Sequence, residues 1–246
     1  MPRRYSPYAS SFSFGPGPMS TAMKALIGAN VVIFLAQSLM PSLLLTLGLV
    51  PAAVVGELQI WRLVSYMFLH GGIFHILFNM LALWMIGSEL EHRWGTRYFL
   101  KFYFVTGVGA GVLTVLFSLL PFDVTTQLYH EIVIGASGAI YGLLLAYGFY
   151  YPDRLIYYIV FPIPAKYFVL LIGIISFYGS MGGSSGVANA THLGGLFVAY
   201  LLLKGARLQP VGELKYRYLK WRIDRARKKF GVHPGGRADH WDRRVH

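Results

Sequence analysis

Residues 98–120 read YFLKFYFVTGVGAGVLTVLFSLL. Lys101 is the only charged residue in this stretch, and it stands near one end. About 20 predominantly apolar residues in helical form are long enough to cross the hydrocarbon core of a bilayer. The stretch is therefore predicted to be a transmembrane helix.

Five other stretches of the chain have a similar apolar character. The six candidate spans are residues 23–41, 73–91, 98–119, 136–151, 165–180 and 190–204. Residues 152–164 contain Pro162 and Pro164 and are predicted to form an interfacial connection outside the spans. Six helices that are apolar all round would leave too little polar surface to solvate a soluble bundle. The predicted fold class is an all-α polytopic membrane protein with a bundle of six transmembrane helices.

The composition agrees with this fold class. Of the 246 residues, 55 % are hydrophobic and 13 % are charged, whereas about 25 % are charged in an ordinary soluble domain. The chain has no cysteine, which excludes a disulfide-stapled secreted module and a thiolate metal site. The net charge is +12, and residues 205–246 hold twelve basic residues against four acidic ones. Charge confined in this way argues against a nucleic-acid binder with a basic surface.

Basic residues in the short loops predict the orientation of the chain. One set of loops and both flanks contain Arg3, Arg4, Lys24, Arg93, Arg97, Arg154, Lys166 and the basic tail. The opposite loops contain Arg62 alone. Because cytoplasmic loops carry the excess of lysine and arginine, both termini are predicted to be cytoplasmic. We expect the protein in the cell (inner or plasma) membrane.

Three parts of the chain follow from these patterns. Residues 1–22 are rich in Ser, Pro and Gly and are predicted to be a disordered cytoplasmic N-terminus, and residues 23–204 form the membrane domain. Residues 205–246 form a basic cytoplasmic tail in which apolar residues recur three or four apart, namely Tyr216, Leu219, Ile223, Ala226 and Phe230. This spacing predicts an amphipathic helix on anionic lipid headgroups. An RNA-binding tail is the alternative, although no nucleic acid is expected.

Polar residues stand at the openings of three predicted spans. His75 and Asn79 open the second span, Ser137 opens the fourth and His192 opens the sixth. The predicted topology brings all three openings to a similar depth on the non-cytoplasmic side. Because strongly polar residues within spans are rare, this coincidence of depth points to a functional site.

The four side chains suit acyl transfer. Ser137 would be the nucleophile and His192 the base that takes its proton. Ser137 begins a helix, where backbone N–H groups face a developing oxyanion, and His75 and Asn79 are further donors. No carboxylate lies at the span openings, so we expect a Ser–His dyad without an acidic partner. No metal and no cofactor are expected.

Small residues would allow the fourth and sixth spans to approach closely. Gly138 and Gly142 are four apart on the fourth span, as are Gly195 and Ala199 on the sixth. Such pairs allow membrane helices to pack backbone to backbone. Tyr141, one turn after the serine, is then predicted to stack on the ring of the sixth-span histidine.

Four motifs together resemble the rhomboid intramembrane serine proteases over about residues 59–200. They are Trp61-Arg62, His75-Ile76-Leu77-Phe78-Asn79, Gly135-Ala136-Ser137-Gly138 and His192-Leu193-Gly194-Gly195. The resemblance implies a six-helix fold, the dyad of Ser137 and His192, and an oxyanion hole of His75, Asn79 and the Ser137 N–H. Tyr141, Gly135 and Gly138 are predicted to support this site. It also implies single-span membrane proteins as substrates. One departure is Thr191, where the family usually has alanine.

Other functions remain open at this point. A transporter also places polar groups within its spans, although this chain has no inverted repeat and its polar groups cluster at one depth. A catalytically inactive rhomboid-like scaffold is the nearer alternative. His75 and Asn79 could instead tie the first loop to the second span. His70 is predicted to be structural, as is Glu91, paired with backbone or with Arg93. The fifth span and the loop at residues 179–186 are predicted to be a mobile gate.

Overall fold

The computed structural model describes residues 18–158, 161–180, 186–208 and 218–225. The chain divides into two units, Met1–Leu203 and Lys204–His246. In the second unit, residues 218–225 are helical and exposed. The other positions of the predicted tail helix lie outside the described residues, as do residues 1–17 of the predicted disordered N-terminus and residues 181–185 of the predicted gate.

Each of the six predicted apolar stretches is helical, and further short helices lie between them. The helices are α1 (Thr21–Leu39), α2 (Ser42–Leu47), α3 (Pro51–Gly56), α4 (Arg62–Ser65), α5 (Ile73–Ala82), α6 (Ser88–Trp94), α7 (Thr96–Ser118), α8 (Asp123–His130), α9 (Ser137–Tyr150), α10 (Ala165–Gly179) and α11 (Gly186–Leu208). A 3-10 turn at Tyr66–Phe68 follows α4. A π-helical turn at Leu83–Gly87 joins α5 to α6, so that Ile73–Trp94 runs as one helix.

The bundle is a membrane-embedded one. Three of the described helices are long and apolar enough to cross a bilayer, namely Thr21–Leu39, Ile73–Trp94 and Thr96–Ser118. The helices α9 and α10 are shorter, with 14 and 15 residues. Large apolar side chains such as Phe74, Phe78 and Leu170 are exposed on the outside. An apolar surface of this extent fits contact with lipid chains and not with water.

Small residues bring α7 and α9 together at the centre of the bundle. A Cβ atom placed on Gly142 would lie 2.9 Å from the Thr106 side chain, and one on Gly138 would lie 3.0 Å from the Ala110 side chain. Gly142 therefore faces α7 and not the sixth span, which corrects the pairing predicted for it. Gly138 lies where α7, α9 and α11 meet.

The connection between α9 and α10 is a β-hairpin. Its strands are β1 (Leu155–Tyr158) and β2 (Phe161–Pro164), which pair antiparallel, with Leu155 opposite Pro164. Pro162 and Pro164 lie in β2, and in a two-stranded ribbon each strand is an edge strand that tolerates proline. The predicted all-α fold class is corrected in this one element, because the interfacial connection predicted at residues 152–164 contains two strands.

The long first loop is held by side chains that bond to the carbonyl end of α2. The Arg62 Nη1 atom donates to the Gly48 carbonyl at 2.5 Å, and the Ser65 hydroxyl donates to the Leu47 carbonyl at 2.6 Å. The Trp61 indole N–H donates to the Thr46 carbonyl at 3.2 Å. The last carbonyls of a helix have no partner within it, so these bonds satisfy α2 and fix it against α4.

Charged side chains gather at the opposite end of the bundle. The buried Glu91 carboxylate accepts hydrogen bonds from the Ser20 hydroxyl at 2.7 Å and the Thr96 hydroxyl at 2.6 Å, in place of the predicted backbone or Arg93 partner. Arg154 pairs with Glu89, and Lys166 pairs with Asp153 at 2.7 Å. A hydrogen bond with Tyr147 and the charge of Glu89 raise the pKa of Arg154.

Candidate active site

Ser137 and His192 meet across two helices. Ser137 is the first residue of α9, and His192 lies in α11. The Nε2 atom of His192 and the Oγ atom of Ser137 are 2.8 Å apart, in a partly buried position. This is the separation that a general base needs to take the proton of a serine hydroxyl.

Glycines bring the two helices this close. A Cβ atom on Gly195 would collide with the carbonyl oxygen of Gly138. One on Gly194 would lie 3.2 Å from the Cα and carbonyl oxygen of Ala110 on α7. Side chains at these positions would push α11 away, so the contact of His192 with Ser137 depends on their absence.

The His192 ring is held by an aromatic face. The Tyr141 and His192 rings are stacked with their centroids 4.1 Å apart and their planes 11° apart. The Nδ1 atom of His192 is buried and has no hydrogen-bond partner among the residues that the structure describes. A Ser-His-Asp triad orients its imidazole through a carboxylate on Nδ1. Here the contact with Tyr141 lies where it can restrict ring rotation.

The ring of His75 lies beside the serine. The Gly71 N–H donates to the Nδ1 atom of His75 at 3.1 Å. In a neutral imidazole an accepting Nδ1 leaves the proton on Nε2. A Cβ atom on Gly135 would lie 3.0 Å from His75 Nε2 and 3.5 Å from Ser137 Oγ. The Nε2–H donor therefore lies near the space next to the serine, where an oxyanion would form.

Gly135 is required by its backbone and by its neighbours. Its φ angle is +126°, a region that residues with a Cβ atom rarely adopt. Its N–H donates to the Tyr66 carbonyl at 2.9 Å, which ties the turn before α9 to the first loop. A larger side chain here would meet the His75 ring. The Gly-rich opening of α9 thus keeps room for His75 beside Ser137.

Asn79 lies one turn after His75 and is buried. Its Nδ2 atom donates to the His75 carbonyl at 2.7 Å, so part of its hydrogen-bonding capacity is used within α5. An amide carries two N–H donors, which leaves one for another acceptor. No hydrogen bond from Asn79 to Ser137 is found among the described residues.

Two further residues support this group, and the sequence pointed to only one of them. The Gln37 side chain donates to the His70 carbonyl and accepts from the His70 N–H, the latter at 3.1 Å. The fully buried His70 ring meets the His75 ring edge-on, with centroids 5.1 Å apart. Burial and the nearby His75 lower the pKa of His70 to about 4. Gln37 was missed because its partner is 33 residues away and no local pattern marks it.

An apolar cavity opens between α5, α9 and α10. It has a volume of about 460 Å³, and its lining includes Phe78, Leu81, Met85 and Phe168. Glu89 and Arg154 line one end of it. The cavity is mostly apolar, and none of Ser137, His192, His75 and Asn79 lines it.

Metal ligands are not grouped in the described part of the chain. No set of three His, Asp or Glu side chains there could hold a metal ion.

Known proteins resemble this chain over the same region. The family model of the Rhomboid domain matches residues 57–207. RHOMBOID-like protein 2 of Arabidopsis thaliana is 36 % identical over 61 % of this chain and 43 % of its own length. Rhomboid protease GlpG of Yersinia pestis is 34 % identical over 59 % and 48 %, and Rhomboid protease GluP of Bacillus subtilis is 30 % identical over 68 % and 30 %. The chain spans about half the length of these relatives, or less.

Proposed function

The chain belongs to the rhomboid family, and from that premise we propose that it is an intramembrane serine endopeptidase. It hydrolyses peptide bonds in or near the transmembrane segments of single-span membrane proteins. The observation that carries this proposal is the 2.8 Å contact between His192 Nε2 and Ser137 Oγ inside an apolar bundle. The similarity to two named rhomboid proteases supports it.

The catalytic steps follow from the geometry of the dyad. His192 Nε2 takes the hydroxyl proton as Ser137 Oγ attacks the carbonyl carbon of the peptide bond. The resulting imidazolium then gives this proton to the leaving amine, and the peptide C–N bond breaks to form an acyl-enzyme. In the second half, water attacks the ester, His192 takes a proton from the water, and Ser137 leaves with that proton.

The oxyanion of both tetrahedral intermediates lies next to His75. The Nε2–H of His75 is the first donor, the remaining Asn79 N–H the second and the Ser137 backbone N–H the third. The accepting role of His75 Nδ1 towards Gly71 supports the first assignment, because it places the ring proton on Nε2. Gly135 keeps space for the His75 ring, and Gly138 allows α11 to approach.

Six helices span the membrane in this proposal. They are α1, Ile73–Trp94, α7, α9, α10 and α11. Both termini face the cytoplasm, which puts the ion pairs of Glu89 with Arg154 and of Asp153 with Lys166 on the cytoplasmic side. The protein is located in the cell membrane, and Ser137 lies towards the outer face of that membrane.

The substrate helix enters between α5 and α10. The apolar cavity at Phe78 and Phe168 lies between these helices, and movement of α10 would have to extend it to Ser137, which does not line it.

The tail binds anionic headgroups, since residues 218–225 expose Trp221 and Ile223 together with Lys220 and Arg222. Binding to anionic vesicles should fall steeply with added salt. Binding that ignores salt would contradict this role of the tail.

Reconstitution in liposomes with a single-span substrate tests the activity. Wild type should cleave, whereas Ser137→Ala and His192→Ala should lose at least about 10³-fold in rate. Ser88→Ala is a matched control, because Ser88 is a buried serine on α6 without a role in the proposed chemistry. Cleavage that persists in Ser137→Ala would overturn the mechanism, and so would a wild type without activity.

A further inference from the structure

A buried hydrogen bond joins α7 to α11 immediately beside the dyad histidine. The Oγ1 atoms of Thr114 and Thr191 are 2.9 Å apart. Both residues are almost completely buried, with 1 % and 2 % of their surface exposed. Thr191 precedes His192 and stands where the rhomboid family usually has alanine. The bond is therefore a feature of this chain that the family pattern does not supply.

The direction of this hydrogen bond follows from a second one. The Thr114 hydroxyl also lies 2.8 Å from the carbonyl of Ala110 and donates to it. A hydroxyl has one proton and two lone pairs, so Thr114 accepts at the other contact. Thr191 is thus the donor, and the path runs from Thr191 through Thr114 to the backbone of α7.

The methyl group of Thr191 faces a third helix. A Cβ atom on Gly138 would lie 3.3 Å from Thr191 Cγ2, which brings the methyl group against the residue after Ser137. Thr191 therefore contacts α7 through its hydroxyl and α9 through its methyl group. It occupies the junction of the helix that carries the serine, the helix that carries the histidine and the central helix of the bundle.

Most other contacts at this junction involve glycines. Gly194 and Gly195 pack against the backbone of Ala110 and Gly138, and the Val198 side chain packs against Gly109. Contacts of this type allow a close approach, but they give little resistance to a rotation or a slide of one helix along the other. A directional hydrogen bond does resist such a shift, because its strength falls as the angle and distance change.

We infer that Thr191 is a positioning residue, whose hydrogen bond to Thr114 fixes the rotation and height of α11 so that His192 Nε2 stays within reach of Ser137 Oγ. This inference rests on the proposed protease function. This hydrogen bond positions the backbone of α11, whereas the carboxylate of a Ser-His-Asp triad orients the imidazole ring itself. It fits a site in which the described residues give His192 Nδ1 no hydrogen-bond partner.

Kinetics of Thr191→Val in liposomes test the inference. Valine keeps the shape and the methyl contact with Gly138 and removes the hydroxyl group. Thr114 keeps its bond to the Ala110 carbonyl, so no buried donor loses its partner and the melting temperature should move by only about 3 °C. The kcat per titrated active site should fall about tenfold, since misplacement of a catalytic group costs rate, while KM stays unchanged.

Three further variants separate positioning from general packing. Thr191→Ser keeps the donor and should restore the rate to within about twofold of wild type. Thr114→Val should lower kcat like Thr191→Val, and the double variant should cost no more than either single one, because the two residues form one interaction. Thr106→Val is the matched control. Thr106 is a buried threonine of α7 that bonds the Phe102 carbonyl of its own helix and should leave kcat unchanged.

The possible results distinguish this inference from the proposed function. A wild type that neither cleaves substrate nor reacts with a fluorophosphonate overturns both. An active wild type with an unchanged kcat in Thr191→Val overturns the positioning role alone. Additive losses in the double variant, or a Thr191→Ser variant as slow as Thr191→Val, also overturn it. Loss in both valine variants, with rescue by serine, supports it.

Discussion

The two ends of the helical bundle are held together by different forces. At the Ser137 end, α11 meets α9 and α7 through glycines, and neutral hydrogen bonds such as that of Thr191 to Thr114 cross between helices. At the opposite end, Glu91 binds two hydroxyls and Glu89 pairs with Arg154. Both ion pairs found among the described residues, those of Arg154 and Lys166, lie at this second end.

The difference reflects what each end must do. Burial of a charge in a medium of low polarity costs free energy. Close packing and neutral hydrogen bonds can position a site inside the bundle without this cost. Packing also fixes positions to fractions of an ångström, which the contact of His192 with Ser137 requires. At the opposite end, the half-exposed Arg154 reaches polar surroundings, where its ion pair contributes little, and the buried Glu91 carboxylate is stabilised by two hydroxyl donors.

A side chain on Gly195 should damage the serine end severely. In Gly195→Ala the new methyl group meets the Gly138 carbonyl, so α11 must shift away from α9. We expect a loss of about 1–3 kcal/mol in unfolding free energy and about 100-fold in cleavage rate. Gly28→Ala in α1 is the matched control, because nothing lies within 4 Å of its new methyl group. Equal rates in both variants would show that the glycine contact does not control the site.

A methyl group on Gly135 should act through His75. Gly135→Ala combines an unfavourable positive φ with a contact to the His75 ring, so we expect about a tenfold lower kcat besides about 1–2 kcal/mol of lost stability. Gly95→Ala is the control, since Gly95 also has a positive φ of +78° but has open space around it. It should lose similar stability and keep its rate. Melting temperatures and initial rates of both variants provide the comparison.

Acid should weaken the serine end through His70. The folded protein holds the pKa of His70 near 4, below its usual 6.5, so the unfolded chain binds more protons between these values. This contribution to stability is complete above pH 6.5 and is lost as the pH falls towards 4, by about 2 kcal/mol at pH 5. The melting temperature of wild type should therefore fall with acid more than that of His70→Phe. If the melting temperatures of wild type and His70→Phe fell equally with pH, this would contradict the burial of a neutral His70.

The charged end should tolerate the loss of an ion pair. Arg154→Ala and Glu89→Ala should each cost less than about 1 kcal/mol, and their coupling in a double-mutant cycle should shrink at high salt. Cleavage rates per folded molecule should stay unchanged. A rate loss comparable to that of Gly195→Ala would remove the distinction between the two ends.

Much of the bundle could be predicted from the sequence because its signals are local. Long apolar runs such as residues 98–119 predicted helices that the structure contains, within a few residues at most of their ends. The approach of Ser137 to His192 followed from equal depth in two spans and from small residues between them. The stacking of Tyr141 on His192 followed from helical spacing.

Other features depend on contacts between distant parts of the chain, and no pattern in the sequence marked them. The bonds of Gln37 to His70 and of Thr114 to Thr191 join residues 33 and 77 positions apart. The β-hairpin at residues 155–164 was hidden by its two prolines, which usually argue against a strand. Gly142 was matched with the wrong helix, because a small residue indicates that a close contact exists but not with which neighbour.

The reaction of the protein with a fluorophosphonate, mapped by mass spectrometry, reports directly on an activated serine. The dyad predicts a covalent adduct on Ser137, formed at least about 10³-fold more slowly in His192→Ala and absent in Ser137→Ala. An adduct on a different serine, or equally fast labelling of Ser137 in His192→Ala, would contradict the assignment of Ser137 as the nucleophile that His192 activates.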